Sequence, residues 1–69
     1  MQMTDLNVEA HGEIIIITER DTGFYAIYEK RREEPQLILK GRADTRDHVL
    51  LARVWHVAVD KARELGWIV

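Results

Sequence analysis

The chain has no cysteine and no serine among its 69 residues, a single proline and four scattered glycines. Without cysteine there is neither a disulfide nor a thiolate metal site. The two commonest side-chain nucleophiles are missing, and Thr4, Thr18, Thr22 and Thr45 have no base at a diagnostic spacing. Gly12, Gly23, Gly41 and Gly66 lie too far apart to form a phosphate-cradling loop. No apolar run, Ile14–Ile17 included, approaches the roughly 20 residues of a membrane span. The first five residues show no basic and apolar blocks of the secretory kind, so a cytoplasmic location is expected. Charge of one sign is also lacking. A formal net charge of -2 marks neither a basic nucleic-acid binder nor an acidic tail.

What is present is the composition of a small folded domain, 46% hydrophobic and 32% charged. A chain of this length buries only about 60% of its unfolded surface, which leaves little margin of stability. Small domains compensate with disulfides, a metal or a partner subunit. With the first excluded, association with a second copy is the expected route.

The order of elements follows from local signals. Residues 1–12 are polar, and Leu6, Val8 and Ala10 alternate with Asn7 and Glu9, so this segment reads as flexible or as a short edge strand. Glu13–Glu19 holds four consecutive isoleucines, which are β-branched and suited to a pleated surface. Arg20–Gly23 supplies a four-residue turn, and Phe24–Lys30 is the second strand. After a charged connection ending at Pro35, Gln36–Gly41 is the third. The spacing predicts a helix over Arg46–Leu65, capped by Asp44 or Thr45, with Asp47 in its first turn and Gly66 ending it. The predicted fold is α+β. It is a three-stranded antiparallel meander followed by one long C-terminal helix on one face, with residues 13–69 as one β-β-β-α domain.

Thr22-Gly23-Phe24-Tyr25-Ala26, a third strand ending at Gly41 and the Asp44-Thr45 helix start resemble the N-terminal domain of HicB-type antitoxins over about residues 13–60. That resemblance implies the β-β-β-α order. The Pro-Asp-Leu-Pro-Gly segment of that family has no counterpart, because the stretch here reads Glu29-Lys30-Arg31-Arg32-Glu33-Glu34-Pro35. The resemblance therefore carries over topology and no functional residue.

At 100° per residue, Leu51, Val54, Trp55, Ala58, Ala62 and Leu65 form one stripe, the predicted sheet-facing side, with Trp55 at its centre. Leu50 and Val57 lie beside each other, roughly 100° or more away from it. The strands are apolar on both sides, Ile14 and Ile16 opposing Ile15 and Ile17, whereas a sheet with one wet face should alternate cleanly. One helix covers one face. Either the N-terminal segment and the tail wrap the second face, or a second copy covers it. The candidate dimer contacts are the outer sheet face with Leu50, Val57, Trp67, Ile68 and Val69.

Candidate chemistry is sparse. His56 and Asp60 are four residues apart and His48 neighbours Asp44 and Asp47, but two ligands make no zinc site. His11 stands in an aperiodic segment. No catalytic residue, metal or cofactor is expected. Lys30, Arg31, Arg32, Lys40, Arg42 and Arg46 form a basic rim suited to single-stranded nucleic acid. Five acids between residues 29 and 47 face those six bases, so the net charge there is 6 − 5 = +1. Phosphate binding draws on uncompensated charge. The function expected is therefore a non-enzymatic, homodimeric protein-interaction module, with nucleic-acid binding through the basic rim as the alternative.

Overall fold

The computed structural model describes residues 6–31 and 36–68. Strands β1 (Leu6–His11), β2 (Ile14–Glu19), β3 (Tyr25–Lys30) and β4 (Leu37–Arg42) are followed by helix α1 (His48–Glu64). The strands form one antiparallel sheet in the order β1-β2-β3-β4. The α+β class and single C-terminal helix agree with expectation. The sheet, however, has four strands where the sequence predicts three, the segment before residue 13 supplying β1.

The added strand is the alternating segment. Its register with β2 runs unbroken from Leu6 opposite Glu19 to His11 opposite Ile14. Residues 12 and 13 form a two-residue loop in which Gly12 has φ 61°, a left-handed conformation that such loops need and glycine adopts without strain. The β2–β3 turn closes with Gly23 at φ 75° and its N–H donating to the Glu19 carbonyl at 3.0 Å. Between β3 and β4 the register shifts at Ile27 and Tyr28, which face Gly41 and Leu39, so Lys40 is an extra, bulged residue.

The helix is shorter than predicted at both ends. Asp47, placed in the first turn on sequence grounds, is instead the N-cap, and its Oδ1 accepts the Leu50 N–H at 3.0 Å. The Thr45 hydroxyl oxygen accepts the Asp47 N–H at 3.1 Å and holds the approach to the cap. Gly66 ends the helix as expected, with φ 79°. The Trp67 N–H donates to the Ala62 carbonyl at 2.8 Å, and the Gly66 N–H to the Arg63 carbonyl at 3.0 Å. These are the two bonds of a Schellman ending. It turns the chain back so that Trp67 and Ile68 pack on the core.

The core consists of Ile15, Ile17, Phe24, Ala26 and Tyr28 from the sheet side and Leu50, Val54, Ala58 and Ala62 from the helix. The predicted helix face is therefore displaced by roughly 30° at 100° per residue, towards Leu50. Leu50 is 7% exposed and Trp55 is 45% exposed, the reverse of expectation. The reason is volume: Ala58 and Ala62 let the helix seat closely on Ile15 and Ile17, and an indole at the centre would hold it off. Trp55 instead lies at the margin, its ring 5.8 Å from that of Tyr28 at a tilt of 52°. Among the described residues no helix is long and apolar enough to cross a membrane.

Candidate interaction surfaces

Partners across an antiparallel ladder share a face, so the register sorts the sheet into two sides. Val8, Ile15, Ile17, Ala26, Tyr28 and Leu37 face the helix. Ile14, Ile16, Tyr25, Ile27 and Ile38 face the other way, and no described element lies over them. They form an apolar strip whose outer members, Ile14 and Tyr25, are the most exposed. On one border stand Asn7, Glu9 and His11 of β1, and on the other the ion pair of Lys40 Nζ with Glu29 at 3.3 Å.

The β1 border carries the best-defined polar cluster on this face. His11 Nε2 lies 3.0 Å from Glu9 Oε1, and Asn7 Nδ2 donates to Glu9 Oε2 at 3.2 Å. The His11 contact, followed by the Asn7 bond, holds the fully exposed Glu9 carboxyl below its ordinary value of 4.5. Such an exposed ladder orders a surface but encloses no reacting atom.

The helix leaves two unlike flanks, because it lies chiefly over β1 and β2. On the β1 side a shallow groove is lined by Val8, Val57, Asp60, Lys61 and Glu64. On the β4 side Gln36, Leu37, Trp55, Val59 and Ile68 line another, with Leu39 and Trp55 almost half in water. A third groove joins Phe24 and Leu50 to the acids Glu19, Asp44 and Asp47 at the helix start.

Of the predicted dimer contacts, Leu50 is buried in the chain's own core. Val57, Trp67 and Ile68 are partly buried against that core, and Val69 lies outside the described residues. The basic residues do not gather on one face. Lys40 points to the open side beside Glu29, whereas Lys30 and Arg42 pair with Leu37 and Ala26 on the helix side. Arg42 Nη1 donates to the Ala43 carbonyl at 3.0 Å, and Arg46 is exposed in the loop before α1. Arg31 follows β3, and Arg32 lies outside the described residues.

His48 and His56 are exposed on the helix, and Asp60 Oδ1 is 3.9 Å from Arg63 Nη1. Among the described residues no three histidines or carboxylates converge on a point that would hold a metal ion, and every fully buried residue is apolar or aromatic. The Tyr28 phenol is pushed above its usual range by burial, with Arg42 opposing the shift. No protein family, curated protein or solved structure matches this chain.

Proposed function

We propose that the chain is a non-enzymatic protein-interaction module that acts as a homodimer and presents its open sheet face to protein. The observation that carries this is the strip Ile14, Ile16, Tyr25, Ile27 and Ile38 on a face that no described element covers. Apolar side chains spread over a flat sheet gain most from another protein surface, since small ligands are held in concave sites. The core supports the dimer part of the reading. Among the described residues nine are buried, four of them contributed by one helix, and a chain this small gains stability from a partner subunit. A chain without cysteine also suits the reducing cytoplasm.

Molar mass by light scattering from low to high micromolar concentration tests the homodimer. The expected result is a rise to twice the 8.1 kDa chain mass, and the chain mass alone throughout overturns it. Salt separates this reading from nucleic-acid binding. An apolar association holds as salt rises, whereas any capture of a labelled single-stranded oligonucleotide through phosphates weakens by orders of magnitude.

A further inference from the structure

We infer that the second copy joins at the β1 edge, pairing β1 with β1 across a two-fold axis and setting the two α1 helices side by side. This rests on the homodimer reading and says where that dimer forms. Three independent features of the chain meet there.

The first is the edge itself. β1 offers six residues in unbroken register, with no bulge, proline or lysine to discourage another strand. β4, by contrast, is interrupted by the bulge at Lys40 and carries the charges of Lys40 and Arg42. Bulges and edge lysines are devices that keep strands from adding.

The second is spacing. Strands lie about 4.8 Å apart, and α1 stands over β1 and β2. Joining two copies at β1 puts the helix axes roughly 10 Å apart, within the packing distance of two helices. Joining them at β4 would leave roughly 30 Å between the axes and a trough between the helices. Only the β1 edge closes both layers at once.

The third is the pattern on the β1 side of the helix. Arg53, Val57, Asp60 and Glu64 recur at steps of four, three and four, a continuous seam. Val57 lies at its middle and shares its groove with Val8 of β1. A two-fold axis beside Val57, between positions 56 and 57, makes the helices antiparallel, as antiparallel β1 pairing requires, and sets position 53 against position 60. Arg53 of each copy then faces Asp60 of the other. Among the described residues Arg53 makes no ion pair, while Lys61 Nζ is held by its own Glu64 at 3.2 Å. Arg53 on one side of the axis and Asp60 on the other make the seam complementary to itself when reversed, which is what an isologous interface needs.

Because the chain lacks cysteine, a single introduced thiol reads the geometry directly. Val57→Cys should oxidise to a disulfide-linked dimer, and Ala52→Cys, on the far side of the helix, should not. Arg53→Glu places like charges against Asp60 twice and should weaken dimerisation about tenfold, with Arg53→Asp combined with Asp60→Arg restoring it. Both positions are exposed, so the fold should survive these changes. In the unmodified protein, amide exchange along β1 should slow as concentration rises while β4 stays fast. A dimer that Ile16→Lys dissociates, but that ignores the charge swap and does not cross-link at position 57, would overturn this interface and leave the homodimer standing. A chain monomeric throughout would overturn both.

Discussion

Along β1 six residues pair in sequence with β2, a two-residue loop holds the strand tight, and α1 stands overhead. Along β4 an extra residue breaks the ladder, charges face outwards, and the inner side is flanked by Trp55, Val59 and the returning Ile68. The cause of this asymmetry is simple geometry. Three strand spacings make the sheet roughly 14 Å wide, and a helix is about 10 Å across. One helix must choose a side. The small residues Ala58 and Ala62 let it settle over the isoleucines of β2, and the bulky Trp55 falls to the other margin. The edge under the helix is left regular, and the edge away from it carries a bulge and charges.

The contrast can be broken most severely at the centre. Ile17 is fully buried and faces Val8 of β1, so Ile17→Ala should cost about 3 kcal/mol in urea denaturation at fixed protein concentration. Trp55→Ala should cost less, about 2 kcal/mol, because nearly half of the side chain is already in water. If Trp55→Ala proved the more damaging, the β4 flank and not the β1 flank would be the seat of the core.

A smaller change sharpens the comparison of the edges. Gly12→Ala forces a side chain into φ 61° and should cost about 1 kcal/mol, loosening the β1 hairpin. Gly41→Ala on β4 meets no such backbone demand and has open space around the added carbon, so it should stay within about 0.5 kcal/mol of neutral. Equal losses at the two glycines would remove the distinction between the strands.

The smallest effect is a titration. Glu9 on β1 has its carboxyl held below the ordinary value of 4.5, so the unfolded chain takes up the proton first as pH falls. Its contribution is complete above that value and lost below it. For a fully exposed carboxyl the loss should be slight, and His11→Ala should shrink it, as pH-dependent denaturation midpoints of the two proteins would show. A carboxyl signal in NMR titrating at its ordinary value would remove the β1 ladder from the account.

Local chemistry alone determined much of this protein. The isoleucine run, the glycine turns and the uninterrupted helical pattern are preferences of short segments, and each appears within a few residues of its predicted place. That both sides of the strands are apolar was equally legible from the run Ile14–Ile17, whereas the sequence left open whether the chain's own ends or a second copy covers the second side. Segment preferences could not settle the rest. Leu6, Val8 and Ala10 make a weak strand by themselves, and β2 stabilises them by supplying the ladder bonds. Asp44, Thr45 and Asp47 are all able caps, and where the chain rises from β4 to the sheet surface selects Asp47. The apolar arc of the helix is wider than the face it buries. Which part of that arc turns inward depends on how side-chain volumes fit against the sheet, so only the tertiary structure brought Leu50 in and turned Trp55 out.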